Sequence, residues 1–162
     1  MNISEIVMSA AEYDRGDPKR INHFMKVYAY ARTIAENENM SLDELSVLDA
    51  AAVLHDIGIH NAEQKHGSSS GKYQEMEGPP VAEELLRNEG CDEEFISAVC
   101  HLVGRHHTYT GIDSDVLQIL IEADFIVNAY EDMMPKSSIL SVREKLFKTQ
   151  TGKKLLELLF LE

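Results

Sequence analysis

Apolar residues recur at helical spacing along nearly the whole chain, and no stretch keeps up the apolar and polar alternation of a half-buried strand. The pattern predicts an all-α fold. A first helix covers about residues 2–14 and ends at Asp14-Arg15-Gly16-Asp17. Asp17 has N-cap chemistry and Pro18 suits the first helical position, so a long helix starts there and reaches about residue 37. Ser41, with Glu44 three residues on, has the spacing of a capping box, which opens a helix through Leu45, Leu48, Ala52 and Leu54 to Gly58. Between Val47 and Leu54 this third helix is Ala-rich and apolar on most sides, the mark of a central, buried element. Residues 59–80 break the periodicity with Gly67, Ser68, Ser69, Ser70, Gly71, Gly78, Pro79 and Pro80, and read as one long functional or mobile loop. Helices resume over about 79–89, 92–104, 114–131, 137–148 and 151–161. With no internal repeat and no linker, the 162 residues form a single domain, with a core at about 18–131 and C-terminal helices at 137–161 against it.

Composition narrows the classes. The chain is 44% hydrophobic and 27% charged, which fits an ordinary globular protein and neither a disordered nor a fibrous one. No apolar run approaches the roughly 20 residues needed to cross a bilayer, and residues 1–17 lack the plan of a signal peptide. A cytoplasmic location is expected. Cys91 and Cys100 form no C-x-x-C pair and are too few for a disulfide scaffold, which agrees with a reducing compartment. They are expected to be small buried or half-buried side chains. The net charge of −13 argues against a nucleic-acid surface, which needs clustered Lys and Arg. Residues 136–162 carry a local +3, leaving −16 for the rest; their cations are expected on a solvated helix face, against the acidic body. The C-terminal cluster of Leu155, Leu156, Leu158, Leu159, Phe160 and Leu161 is apolar on more than one face, and either caps the core or contributes to a homodimer.

Candidate chemistry gathers on three helices. His55 continues the Leu48 and Ala52 stripe, so it faces inward, where an imidazole needs a partner; Asp56 follows it at the mouth of the buried helix. Asp124 shares a face with Leu117, Leu120 and Ile121 inside an apolar run, and a carboxylate placed there costs several kcal/mol unless it is paired or bound to a metal. A salt bridge to Arg20, Arg32 or Arg105 is the alternative to ligation. His23 on the second helix supports either reading alone. Two imidazoles and two carboxylates meeting at one interior point would form an N2O2 set suited to Mn, Fe, Co, Ni or Zn. Arg20, one turn before His23, is either a phosphate ligand or half of an ion pair; Asn128, one turn beyond Asp124, is placed to orient it.

This ordered set resembles the HD-domain superfamily of metal-dependent phosphohydrolases, with His23, the dyad His55-Asp56 and the late Asp124 at the matching positions. Val53-Leu54-His55-Asp56-Ile57-Gly58 is similar to the family's apolar-apolar-HD-Ile-Gly turn, and the likeness spans about residues 18–131. It implies an HD-domain helical bundle around a buried metal site of one or two ions. His106-His107 resembles the histidine pair with which some members bind a second ion, and alignment of the following helix puts Glu77 where those members have another His. The second set implied is therefore Glu77, His106 and His107. The chain departs from the family twice: Thr108-Tyr109-Thr110-Gly111 follows the His pair in place of a Gly-Tyr-Pro signature, and Ile59 and His60 occupy the region where bacterial 5′-deoxynucleotidases carry a Glu.

The resulting expectation is a hydrolase that directs metal-acidified water at a small, nucleotide-like phosphate ester or anhydride. Asp56, Lys72 and Arg105 are its catalytic candidates, with His60 and His66 as further loop candidates. No nucleic acid polymer or membrane partner is expected. Two rival classes share the ligand order: an HD-type di-iron oxygenase, and a metal-binding regulatory module without turnover.

Overall fold

A computed structural model describes residues 2–162, and among them every regular element is helical. Helix α1 (Ile3–Tyr13) is capped by Asn2, and α2 (Pro18–Asn37) by the Asp17 carboxylate on the Arg20 N–H, with Pro18 at its start. Helix α3 (Leu42–Leu54) opens on the Ser41 and Glu44 capping box, with both reciprocal bonds present. From Leu48 to Leu54 it is buried at every position, and it touches α1, α2, α6 and α7. Its Ala50-Ala51-Ala52 run is what lets neighbouring helices approach from all sides.

The stretch from 59 to 80 differs from the expected loop. It folds into α4 (Ile59–His66) and the first half of α5 (Gly71–Asn88), joined by a short turn that Gly67 enters at φ 65°. Two features hide this from the sequence. Helix α4 spans only 8 residues, too short to display a period, and α5 runs through Pro79 and Pro80, which normally end a helix. The prolines remove two N–H donors mid-helix, those that would have bonded the Glu75 and Met76 carbonyls, and the Pro79 carbonyl also accepts a bond from Cys100 Sγ. Tight backbone packing fixes the segment: a Cβ on Gly58 would lie 2.7 Å from Gly78 Cα, and one on Gly71 would lie 2.8 Å from His107 Cβ. Both glycines let α5 lie directly on the turn after α3 and on the His106-His107 segment.

Helices α6 (Glu93–Val103) and α7 (Asp115–Glu131) begin at Asp92 and Ser114 caps. Helix α7 packs along α2 and crosses α3, burying twelve of its residues. Helix α8 (Lys136–Lys145) precedes α9 (Gln150–Leu156), whose end opens into a π turn over Glu157–Leu161. Two of the tail's six cations pair within the tail, Arg143 with Glu144 and Glu157, and Lys154 with Glu157 and Glu162, and among the described residues none pairs with the acidic body. Leu156 is fully buried and Leu155, Phe160 and Leu161 lean on the core, whereas Leu158 and Leu159 project outward. Cys91 and Cys100 are free and half-buried. Among the described residues no helix is long and apolar enough to cross a membrane.

Candidate metal centre

Three histidines from three parts of the chain are held in the same way. His23 Nδ1 donates to Glu131 (2.9 Å), His55 Nδ1 to the Ala52 carbonyl (2.8 Å) and His106 Nδ1 to the Val103 carbonyl (2.8 Å). Fixing each Nδ1 on an acceptor orients the ring and leaves Nε2 to face the interior. All three Nε2 atoms turn toward Asp56, and those of His23 and His55 also toward Asp124. His23 Nε2 lies 3.1 Å from His55 Nε2 and 3.2 Å from Asp124 Oδ1; His55 Nε2 lies 3.4 Å from that oxygen. Asp56 Oδ2 is 3.4 Å from His23 Nε2 and 3.5 Å from His55 Nε2. Its other oxygen, Oδ1, is 3.4 Å from His106 Nε2.

These separations suit a metal. Ligand atoms at 2.0–2.2 Å from one ion, at tetrahedral or octahedral angles, stand about 3.0–3.5 Å apart. His106 Nε2 adds an independent sign, because it is fully buried yet has no hydrogen-bond partner. Asp56 joins two groups, one with His23 and His55 and the other with His106 and His107, so its two oxygens can serve two ions. None of Arg20, Arg32 and Arg105 pairs with Asp124: Arg20 binds Asp17 and Glu63, Arg32 binds Glu36 and Asp49, and Arg105 binds the Gly111 carbonyl.

The electrostatics describe a cavity built for positive charge. Burial opposes a charge on His55, yet Asp56 and Asp124 lift its pKa to about 9. Burial likewise works against an ionised Asp56, but His55 and His106 hold it at about 2. Asp124 stays well below the usual carboxylate range despite its burial, because His23 and His55 bond to it. His107 is pushed down to about 4, first by burial and then by His106 beside it. A neutral imidazole is the form that ligates.

The other expected site residues are placed as follows. Asn128 Nδ2 donates to Asp124 Oδ1 at 2.9 Å. Glu77 does not reach the histidine pair; Lys65 Nζ (2.6 Å) and His66 Nε2 (2.9 Å) take its two oxygens. One turn earlier on α5, the buried Gln74 meets His107 instead, with Oε1 2.8 Å from Nε2. Lys72 lies over the Tyr73 ring, 5.9 Å from its centroid, and Arg105 is held by Gly111, so neither lines the cleft. His60 faces Asp14 at 3.3 Å and His66 stacks on Tyr73. Two participants went unread in the sequence. Glu131 carried a signal, since Asp124, Asn128 and Glu131 follow the i, i+4, i+7 rule for one helix face. Gln74 carried none, because its helix was masked by the glycines, serines and prolines around it.

The centre opens into a cleft with two chambers. One, of about 340 Å³, is polar and lined by Lys19, Arg20, His23, Asp56, Gln74 and Glu131 among others. The other, of about 650 Å³, lies beyond Asp124. Both share His107, Asn128 and Asp132.

The profile of the HD domain matches residues 20–140, a stretch that takes in His23, His55, Asp56, His106, His107 and Asp124. The chain belongs to the HD-domain family. HD domains bind divalent metals, and the cluster of His and Asp described above suits one. The chain is also similar to the crystal structure of a predicted HD superfamily hydrolase from an uncultured Thermotogales bacterium. The TM-score is 0.66 at 29% identity, over 95% of this chain and 82% of that one. Curated proteins yield no match. The family match and the structural likeness agree on an all-α HD domain.

Proposed function

We propose that this HD domain is a phosphohydrolase acting on a small phosphate ester or anhydride at a centre of one or two divalent transition ions. The observation that supports this most is the common fixing of three histidines through Nδ1, with the Nε2 atoms of His23 and His55 turned toward Asp56 and Asp124 and that of His106 toward Asp56. His23, His55, Asp56 and Asp124 would hold the first ion. Asp56 Oδ1, His106 and His107 would hold a second, with the neutral Gln74 where the sequence suggested Glu77. A divalent ion so held supplies Lewis acidity, which lowers the pKa of water and draws charge from a phosphoryl oxygen.

The chain's own residues do the rest. Lys19 and Arg20 line the polar chamber beside Asp17 and Asp132, and together with the charge of the bound ions they would attract the phosphate locally, against the repulsion of a −13 protein. Arg20 is pre-aligned by Asp17 and Glu63, so it meets an anion in a fixed geometry. Asn128 holds Asp124 in place through its amide, and Glu131 does the same for His23, itself kept ionised by Lys26 at 2.7 Å. Glu131 sits below the usual carboxylate range although burial opposes it, because Lys26 and His23 bond to it.

Elemental mass spectrometry of the protein purified without chelator, beside phosphate release from a panel of esters and anhydrides, tests the reading. About two ions in the wild type, about one in His106→Ala and almost none in His55→Ala would support the two-ion form. Failure to bind Mn, Fe, Co, Ni or Zn would overturn the reading. Oxygen uptake by the iron-loaded protein without phosphate release would replace it with oxidation chemistry.

A further inference from the structure

The two chambers of the cleft differ in chemistry, and the difference concerns the part of the substrate that does not react. The chamber beyond Asp124 is walled on its far side by Tyr109, Phe125, Met134, Val142 and Leu146, with Lys145 beside them, while His107, Asp124, Asn128 and Asp132 form the edge toward the metal centre. Phe125 is held edge-on by Phe147, at 5.7 Å between centroids and 76° between planes, so its position is set by the core. At about 650 Å³ this space is far larger than a phosphate and falls within the range of about 300–1,000 Å³ that small-molecule sites occupy. It adjoins the metal centre through Asp124 and His107, whereas Asp56 and His23 face the polar chamber. A phosphoryl group at the junction would have its charged oxygens beside Lys19 and Arg20 and its organic group beyond Asp124.

We propose that the chamber walled by Tyr109, Phe125, Met134, Val142 and Leu146 is the seat of the substrate's organic group, and that this group is an apolar ring system and not a polyol. The proposal rests on the phosphohydrolase reading and adds the substrate class to it. A ring gains by leaving water against these side chains and can lie flat on Tyr109 or edge-on to Phe125. A polyol entering the same chamber would find partners only along the edge it shares with the polar one, at His107, Asn128 and Asp132, and at Lys145; hydroxyls set against the apolar walls would go unpaired, and unpaired polar groups discriminate more strongly than a missing methylene does. Helix α8 and the turn that follows it supply Val142, Lys145 and Leu146, so the C-terminal segment takes part in selection and does more than cover the core.

The test separates binding from turnover. Isothermal titration of the manganese-loaded protein would compare 1-naphthylmethylphosphonate with 2,3-dihydroxypropylphosphonate, two probes with the same head and different bodies. The aryl phosphonate is expected to bind at least about tenfold more tightly. Val142→Gln, which replaces part of the apolar wall without adding charge, is expected to cancel most of that preference. Tyr109→Ala, at an exposed position where folding is safe, is expected to reduce it. Equal affinities in the wild type, or a preference that survives both substitutions, would overturn the proposal. Aryl preference without phosphate release from any aryl ester would remove the hydrolytic reading and keep the chamber. Release from aryl and polyol esters at equal kcat/KM would keep hydrolysis and remove the chamber.

Discussion

Helix α7 buries two carboxylates two residues apart, and they are treated in opposite ways. Glu122 is fully buried and saturated with donors. Its Oε1 accepts from Gln118 Nε2 (2.7 Å) and from the backbone N–H groups of Lys148 (2.6 Å) and Thr149 (3.1 Å), while Oε2 accepts from the Thr149 hydroxyl. The start of α9 is folded around this side chain so closely that a Cβ on Gly152 would collide with it. Asp124 is almost as deep, at 3% exposed, but no backbone N–H reaches it; its surroundings are two imidazoles and the Asn128 amide. A carboxylate whose lone pairs are filled by backbone donors ties two elements together. One whose partners are imidazole nitrogens can exchange their protons for a cation. Burial alone does not distinguish the two, and the donors around them do.

Breaking the Glu122 cluster is expected to have the largest effect on stability. Glu122→Ala strands the Lys148 and Thr149 N–H groups and the Gln118 amide in a dry interior, a loss of about 3–5 kcal/mol. Urea unfolding should show the same loss with and without chelator, since nothing in this cluster faces the metal centre. A loss that appeared only in the presence of metal would mean that the two carboxylates act as one unit and that the contrast between them is false.

Asp124→Asn is expected to do the reverse. The amide keeps the shape of the side chain, so the metal-free protein should lose only about 1–2 kcal/mol, the order of a typical single substitution. The variant should instead lose the stabilisation that metal confers on the wild type, about 2.7 kcal/mol when the free ion stands at a hundredfold excess over Kd. Thermal unfolding with and without Mn or Zn measures both quantities. An Asn variant that is still stabilised by metal to the wild-type extent would remove Asp124 from the ligand set.

The same contrast explains how much of this molecule could be read from its sequence. The helices that carry His23 and His55 were legible because strong local signals bound them: Asp17-Pro18 before His23, and Ser41 and Glu44 before His55. The His-Asp positions were legible because their spacing and apolar context are specific. Residues 59–80 were not, because Gly67, the serines and the two prolines of α5 outweigh local propensity until the Gly58 and Gly78 backbones are seen to touch. For the same reason Gln74 and Glu77 exchange roles, since a residue assigned to a loop has no facing direction. The role of Glu122 had no signal in the sequence, because its backbone partners lie 26 and 27 residues away, across α8. Lys72 and Arg105 were plausible by charge, but side chains as long as these are placed by their neighbours, Tyr73 and Gly111.

A third buried carboxylate sharpens the rule. Asp14, at the end of α1 and 4% exposed, faces His60 Nε2 at 3.3 Å, a poorer set of partners than Glu122 has. Burial raises its pKa from 3.8 to about 6, against the opposing pull of His60 and Arg20. In the folded protein Asp14 therefore keeps its proton between those two values, where the unfolded chain has already released it. The stability this contributes is present in full below 3.8 and is lost as pH rises through about 6. Asp14→Asn keeps an oxygen for His60 and cannot ionise. It is expected to exceed the wild type by about 1–2 kcal/mol at pH 7–8 and to match it near pH 4, as urea unfolding across that range would measure. If the variant were instead less stable at pH 8, the Asp14 and His60 pair would be a net attraction. Partner count would then not be what decides the fate of a buried acid in this fold.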